Sequence, residues 1–453
     1  MIRRIIAAAA SISLAACGGR ATAGGGAGIL PAREAVAPGR YISHVVIMVQ
    51  ENRSFDNFFA TYPGADGPPR GKNGAPLGKT PPRKTAHGTS TTYPLKKVDL
   101  AEHLQPVYRY ANYRDDYDGG KMDGFWNQQV QGRPGSVLYQ YVDPKQIAPY
   151  WSMAKQYVLG DHLFQTVGSS SFPSHQDLIA GSTSINKTEE VVDPPNNMPW
   201  GCDAPYGTRT TLLTTSGKYP LPGPSPCFKY RTLRDVLDEK GVSWKYYVPQ
   251  LHGPGGQVWS AFDAIRAVRY GPEWTSNVSS PETNVYADIS KGTLPAVSWV
   301  IPDFQNSDHS DTTTDTGPSW VASVVNAIGK SQYWNGTVII VVWDDWGGFY
   351  DHVAPPQYGP GSLGFRVPML IVSPYAKKGY VAHHVYEFGS ILRFVESTFG
   401  LASLGTTDVR ARNFARDVFT FSKPPRKFVP IAAKYSKAFF ERQPPSNLPV
   451  DTE

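Results

Sequence analysis

Two pairs of oxygen-bearing side chains stand directly after apolar runs of strand length. Glu51 and Asn52 follow five consecutive apolar residues and one glutamine, and Asp344 and Asp345 follow six apolar residues. Carboxylate and carboxamide oxygens bind hard and borderline cations, and two adjacent carboxylates repel each other unless a cation or protons relieve them. The pattern therefore favours a metal site. The alternative is that each pair only begins a helix, where acidic side chains suit the helix dipole.

Two histidines and a serine-rich stretch could supply an acid, a base or a nucleophile. His309 and His352 each follow an aspartate near a predicted strand end, where an imidazole can move a proton. The stretch Ser169–Ser174 offers hydroxyl groups, which need a metal or a base for activation. A lone histidine is often structural and a serine run is often a plain loop, so both interpretations stay open. No Gly-x-Ser-x-Gly motif occurs, which argues against an α/β-hydrolase.

Strand and helix patterns alternate over most of the chain, which predicts an α/β sandwich with a largely parallel central sheet. The carboxyl ends of parallel strands lie along one edge, so residues distant in sequence can meet there. Strands are expected at 45–49, 157–160, 244–248, 295–301, 337–343 and 366–373, and helices at 147–156, 233–240, 319–328 and 389–399. A further helical pattern follows His175. The regions 62–93 and 190–230 are expected to be long loops.

The first residues have the pattern of a targeting segment. A basic pair at 3–4 precedes the apolar and small residues 5–14, and Cys17 follows. This arrangement resembles a bacterial lipoprotein signal, which implies a signal peptide over 1–16, lipidation of Cys17 and a flexible tether over 17–39. The alternative is an ordinary secretory signal. Both predict a protein exported to the bacterial cell envelope. The lipidated form would be periplasmic or anchored to the outer membrane by its lipid.

Composition restricts the partners and the redox state. Of the 453 residues, 44 are Lys or Arg and 38 are Asp or Glu, without a long block of like charge, so no nucleic-acid partner is expected. No other run approaches about 18 apolar residues, so no membrane-spanning helix is expected. In an exported protein, Cys202 and Cys227 are expected to form a disulfide within the inserted loop 190–230. The alternative is that they are two metal ligands.

Four motifs resemble those of the bacterial phosphoesterase family, which includes non-haemolytic phospholipases C and the acid phosphatase A group. The motifs are Glu51–Asp56, Gly120–Gly124, Asp308-His309 and Asp344–Pro356. The likeness extends over residues 43–400 and implies a three-layer α/β/α sandwich of the alkaline-phosphatase type. We accordingly assign residues 40–422 to the catalytic domain, and the Pro- and Lys-rich residues 423–453 to a peripheral segment.

The resemblance also implies roles for individual residues. It assigns one or more divalent metal ions to five residues: Glu51, Asn52, Ser171, Asp344 and Asp345. Ser171 would be the nucleophile, and His309 would protonate the leaving oxygen or stabilise the phosphoryl group. His352 is expected to be catalytic and His103 to contact the substrate. The implied reaction is an in-line displacement that phosphorylates the serine, after which water hydrolyses the intermediate.

The implied substrate is a phosphate ester, either a phospholipid or a phosphomonoester. Two departures from the family pattern leave its class open: Asp345 stands where a glutamate is usual, and Ser174-His175 where Asn-Arg is frequent. Two alternatives remain, a sulfatase-like hydrolase and a non-catalytic lipoprotein that binds the envelope. Sulfatases of this architecture usually carry an arginine that Ser171–His175 lacks, and a binding protein needs no clustered carboxylates.

Overall fold

The structure is a computed structural model that describes residues 38–250, 259–359 and 361–445. The predicted signal peptide, Cys17 and nearly all of the predicted tether lie outside these ranges, so export and lipidation stay predictions. None of the helices within the described ranges is long and apolar enough to cross a membrane.

Apolar runs form the longest strands of a nine-stranded central sheet. In chain order the strands are β1 His44–Gln50, β2 Val158–Phe164, β3 Trp244–Tyr247, β4 Val278–Ser279, β5 Val297–Val300, β6 Thr337–Trp343, β7 Arg366–Val372, β8 Tyr380–Ala382 and β9 Tyr386–Glu387. Their order across the sheet is β4-β3-β5-β1-β6-β7-β2-β8, and β9 also pairs with β2. Among these nine strands only β7 runs antiparallel to its neighbours. The prediction of a largely parallel sheet is confirmed.

Helices cover both faces of this sheet. In chain order, the helices of the described residues are α1 Phe55–Phe59, α2 Tyr110–Tyr117, α3 Ala148–Gln156, α4 Ser171–Ala180, α5 Leu233–Lys240, α6 Arg266–Arg269, α7 Glu273–Ser276, α8 Asn284–Lys291, α9 Gly317–Gly329, α10 Phe388–Phe399, α11 Ala415–Val418 and α12 Lys437–Phe440. Every residue of β6 and β7 is buried. Because successive side chains of a strand point to opposite faces, both faces must be covered. Helix α9 packs against α3, and α10 packs against α4. The three-layer α/β/α prediction is confirmed.

The region 62–93, expected to be a loop, contains a hairpin. Leu77–Thr85 pairs with Gly88–Pro94, and the register is irregular between Lys79 and Arg83. Two of the three residues between them, at 81 and 82, are prolines, which cannot donate a backbone N–H to a ladder. Two smaller pairs complete this part of the fold, Lys96–Val98 with Gln140–Val142 and Gln129–Val130 with Arg133–Pro134.

The inserted region 190–230 is also more ordered than a plain loop. A three-stranded antiparallel sheet is formed by Glu189–Asp193, Thr211–Thr214 and Leu221–Pro222. Cys202 and Cys227 are joined in the predicted disulfide. The insertion is therefore a small sheet in which the disulfide links the connection after the first strand to the residues that follow the third.

The C-terminal segment packs on α9. The side chain of Asn326 exchanges two hydrogen bonds of 2.8 Å with the backbone of Ile431. Phe440 is buried and contacts the ring of Trp320. Residues 423–445 are thus attached to the helical layer, while the division of the chain at residue 422 stays a prediction.

A buried arginine joins the start of β7 to α1. Arg366 is fully buried, with its Nε 2.9 Å from Asp351 Oδ1 and its Nη2 3.1 Å from Asp56 Oδ1. Its Nη1 donates hydrogen bonds to the carbonyl oxygens of Asp66 and Asp161. A buried carboxylate is tolerated when a cation pairs with it and hydrogen bonds complete the arrangement, which is the case here.

The Arg366→Met substitution is expected to lower the free energy of unfolding by about 3–5 kcal/mol, because it leaves buried carboxylates without their cation. The measurement is urea unfolding at neutral pH. The control is Arg231→Met, which breaks an ion pair with Glu239 whose side chains are 43% and 58% exposed. That change should cost less than about 1 kcal/mol. Equal losses in the two variants would contradict the importance of this network.

Candidate active site

The parallel pairing of β1 with β6 brings the two polar pairs together. Gln50 lies opposite Trp343 in the register, so the residues that follow each strand are neighbours. The backbone N–H of Asn52 donates to Asp344 Oδ1 at 3.0 Å. The backbone N–H of Asp345 donates to the same oxygen at 2.7 Å. Glu51, Asn52, Asp344 and Asp345 therefore lie together at the carboxyl edge of the sheet. We call this site the acidic corner.

Backbone conformation at this site depends on a glycine. Asn52 has a φ of +61°, in the left-handed region that asparagine tolerates better than most residues. Gly347 has a φ of +62° and lies directly behind it. A Cβ atom on Gly347 would stand 2.2 Å from the carbonyl oxygen of Asn52. Only glycine allows both the turn after Asp345 and this close approach.

Helix α4 directs a serine and a histidine at the acidic site. Ser171 is its first residue, and the Ser171 Oγ donates to Asp345 Oδ2 at 3.3 Å. His175, one turn later, has its Nε2 2.9 Å from Glu51 Oε1 and 3.7 Å from Asp344 Oδ2. Residues four apart lie on the same face of a helix, which is why both reach the same place.

Aromatic residues of the disulfide-linked insertion hold the start of α4. Phe172 is next to Ser171. The centroid of its ring lies 5.5 Å from the ring centroid of Trp200 and 6.2 Å from that of Phe228. Trp200 precedes Cys202 by two residues, and Phe228 directly follows Cys227. Residues close to both cysteines of the disulfide therefore pack against the residue that follows Ser171.

The buried carboxylates of the site need positive charge. Burial raises the pKa of Asp344 well above its usual value, and the negative charge of Glu51 raises it further. Burial also lowers the pKa of His175 to about 4, against the attraction of Asp344. The imidazole is therefore neutral at ordinary pH and adds no positive charge to the carboxylates.

The side chains of this corner fit a divalent cation. Asn52 Oδ1 and Asp344 Oδ2 are buried, and neither accepts a hydrogen bond within the part of the chain that the structure describes. One ligand atom each of Glu51, His175 and Asp344 lies within 4.8 Å of the others. Buried oxygen acceptors that lack donors, beside carboxylates that repel each other, are the environment in which a cation is favourable.

His309 is connected to the same corner through a tyrosine. The backbone N–H of Asp311 donates to His309 Nδ1 at 3.2 Å, so a neutral ring carries its proton on Nε2. That Nε2 lies 3.2 Å from the hydroxyl of Tyr108, which also accepts a hydrogen bond from Asn52 Nδ2. His309 thus presents an N–H group on the side of the acidic corner.

The other two predicted histidines lie elsewhere. His103 is 45% exposed and its Nδ1 is 2.8 Å from Asp311 Oδ1, so it stands at the solvent side of the His309 loop. His352 belongs to the network of Arg366, with its Nδ1 2.8 Å from Asp56 Oδ2. The structure does not bring His352 to the acidic corner, because Asp56 holds its ring beside that arginine. These contacts give no support to its predicted catalytic role.

Two residues of the corner were not predicted from the sequence. His175 was assigned to the residues before the helix, whereas the helix begins at Ser171. The four-residue spacing between the two was the signal that could have found it. Tyr108 reaches the site from a segment without regular structure, and no pattern in the sequence marks it.

The edge of the sheet places buried carboxylates beside a serine hydroxyl, an arrangement suited to the hydrolysis of ester bonds. A model of the Phosphoesterase family matches residues 42–402, and the chain belongs to this family. The family resemblance seen in the four motifs is confirmed.

Curated relatives carry the phospholipase C name. The non-hemolytic phospholipase C of Burkholderia pseudomallei is 25% identical over 434 residues, which are 82% of this chain and 57% of that protein. Phospholipase C B of Mycobacterium tuberculosis is 26% identical over 439 residues, 86% of this chain and 80% of that protein. The chain thus spans less than two thirds of the first relative and about four fifths of the second.

Solved structures are more distant. A protein in the alkaline phosphatase superfamily from Vibrio parahaemolyticus is 14% identical with a TM-score of 0.34, covering 58% of this chain and 64% of that chain. The family assignment rests on the sequence matches and not on this likeness.

The Gly347→Ala substitution is expected to move Asn52 and lower the hydrolytic turnover at least about tenfold, because small displacements of ligating groups are costly. It should also lower the free energy of unfolding by about 2–4 kcal/mol, the sum of φ strain and overpacking. The control is Gly74→Ala, at a φ of +80° with nothing within 4 Å of the new Cβ. That variant should lose stability only through the strain of its positive φ, and it should keep full turnover. Full turnover in Gly347→Ala would mean that the corner tolerates a shifted Asn52.

Proposed function

We propose that this protein is an exported, divalent-metal-dependent phosphoesterase of the phospholipase C type that uses Ser171 as its nucleophile. The observation that carries the proposal is the contact of 3.3 Å between Ser171 Oγ and Asp345 Oδ2, at the first residue of a ten-residue helix. A hydroxyl group is a weak nucleophile unless a base or a metal activates it, and this one contacts a carboxylate that can act as the base.

Glu51, Asn52, Asp344 and Asp345 would hold the metal, together with the Ser171 hydroxyl. A divalent cation bound there would favour the ionised form of a hydroxyl group and stabilise negative charge on phosphoryl oxygens. His175 contacts two of these carboxylates and so restricts where they can point. Several divalent metals suit this set of carboxylate, carboxamide and hydroxyl oxygens, so we propose no single ion.

Two side chains, those of Asp345 and His309, then carry out the proton transfers. Asp345 accepts the hydrogen bond of Ser171 and takes its proton as the Oγ–phosphorus bond forms. The bond from phosphorus to the leaving oxygen breaks, and the N–H of His309 supplies the proton that this oxygen needs. The phosphorylated serine lies at the amino end of α4, where the helix dipole favours an anion. Water then attacks phosphorus and the bond from phosphorus to Ser171 Oγ breaks. Ser171 recovers the proton held by Asp345, and the proton lost by the water restores the N–H of His309.

The relatives named phospholipase C support a phospholipid substrate over a phosphomonoester. A phospholipid would be cleaved to a diacylglycerol and a phosphorylated head group. The lipoprotein signal predicted at the N-terminus supports the same assignment, because lipidation of Cys17 would keep the enzyme beside a membrane. The disulfide between Cys202 and Cys227 supports export to the cell envelope, since such bonds persist in oxidising compartments.

Removal of the Ser171 hydroxyl should abolish turnover. The Ser171→Ala variant of the mature chain is expected to hydrolyse p-nitrophenyl phosphorylcholine at least about a thousandfold more slowly than the wild type. The control is Ser170→Ala, because Ser170 is equally buried and its Oγ makes no hydrogen bond to the described residues. Activity that survives in Ser171→Ala and disappears in Ser170→Ala would move the nucleophile to the neighbouring serine.

Chelation should also abolish turnover, and one divalent metal added back should restore it. Three substrates then separate the classes of hydrolase: p-nitrophenyl phosphorylcholine for a phospholipase C, p-nitrophenyl phosphate for a phosphatase and p-nitrophenyl sulfate for a sulfatase. We expect the phosphorylcholine ester to be preferred. Turnover that is unaffected by chelator would contradict the metal, whereas a preference for the monoester would contradict only the substrate class.

A further inference from the structure

A bulge in β2 turns two neighbouring side chains toward each other. Val367 of β7 pairs with Leu163 and Met369 pairs with Gly160, so Asp161 and His162 together stand opposite the single residue between, which is a proline. Adjacent residues of a regular strand point to opposite faces, and a bulge removes that constraint. As a result His162 Nδ1 lies 2.8 Å from Asp161 Oδ1.

The neighbouring strand adds a second imidazole. Strand β8 runs parallel to β2 with Ala382 opposite Gly160, which places the next residue, His383, beside Asp161. His383 Nδ1 lies 2.8 Å from Asp161 Oδ2. One ligand atom from each of Asp161, His162 and His383 lies within 4.8 Å of the others. A fully buried carboxylate thus stands between two ring nitrogens.

The far side of the His162 ring meets a second carboxylate. His162 Nε2 lies 3.2 Å from Asp66 Oδ2. If a neutral His162 donated its proton from Nδ1 to Asp161, the lone pair of Nε2 would face an oxygen of Asp66, and the two would repel each other. If a cation is bound at Nδ1 instead, Nε2 keeps the proton and donates it to Asp66. A carboxylate that holds the far nitrogen is the usual support of a metal-ligating histidine.

We propose that Asp161, His162 and His383 form a second divalent-metal site, separate from the acidic corner at Ser171. Two imidazole nitrogens and one carboxylate suit Zn²⁺ and similar transition metals. The His383 side chain is 59% exposed and that of His162 is 18% exposed, so the ion can enter from solvent. Asp66 is a positioning residue, because it holds the ring of His162 and stands on its far side from the ion.

This site does not depend on the proposed phosphoesterase mechanism. Its three residues come from β2 and from the end of β8, whereas the acidic corner follows β1 and β6. Arg366 donates to the carbonyl oxygens of Asp66 and Asp161, which fixes the two backbone segments against each other. An ion at this site would tie β8 to the bulge of β2.

The test counts ions on the full chain. Metal-free protein is titrated with Zn²⁺ alone, by calorimetry and by elemental analysis after dialysis. The His383→Ala variant should bind one ion fewer than the wild type. The matched control is His384→Ala, because His384 is an adjacent exposed histidine outside the cluster. That variant should bind the same number as the wild type. Equal ion counts in His383→Ala and His384→Ala would overturn the proposal.

Two further variants make the result specific. Asp344→Asn removes a ligand of the acidic corner, so the ion that it retains should be the one that His383→Ala loses. No bound ion in Asp344→Asn would overturn the second site. An ion count equal to that of the wild type in this variant would instead contradict the proposed catalytic metal. Asp66→Asn should weaken the second ion by about 10–100-fold. A doubly protonated His162 would also satisfy both carboxylates. It predicts no bound Zn²⁺ in Asp344→Asn and an unchanged ion count in Asp66→Asn.

Discussion

The register between β1 and β6 is the constraint on which the site depends. Because Gln50 lies opposite Trp343, the backbone N–H of Asn52 reaches Asp344 Oδ1. A shift of one residue would turn alternate side chains to the other face and separate the two acidic pairs. Both strands are buried on both faces, and this burial holds the register. The apolar core therefore fixes a polar arrangement that would repel itself if it stood alone.

Much of the fold could be predicted from the sequence, because long apolar runs mark strands that are buried on both faces. The strands at β1, β6 and β7 follow such runs. The hairpin of Leu77–Thr85 and Gly88–Pro94 was not predicted, because its residues are polar and prolines interrupt it. Its pairing depends on contacts with the rest of the fold, such as the hydrogen bond from Lys79 N to the Tyr350 hydroxyl. No local pattern records such contacts.

Residues of the acidic corner could be predicted where they directly follow an apolar strand. Residues that reach the corner from helices or loops were harder to predict. Glu51 and Asp344 were visible because polarity changes abruptly after an apolar run. His352 looked similar, since it also follows an aspartate near such an end, but a distant arginine at the start of β7 decides its surroundings. Tyr108 could not have been found, because it reaches His309 across about 200 positions of sequence. Contacts between residues that are far apart in sequence form only in the folded protein, so no local sequence pattern predicts them.

The aromatic contact beside Ser171 has a consequence for the maturation of the protein. Phe172 contacts two rings close in sequence to Cys202 and Cys227, so this disulfide helps to hold the residue next to Ser171. A newly made chain with reduced thiols has the same sequence and the same acidic corner. It lacks the covalent bond that keeps the two rings at a fixed separation. If Ser171 acts as proposed, oxidation of these thiols after synthesis would determine when the nucleophile is held in place.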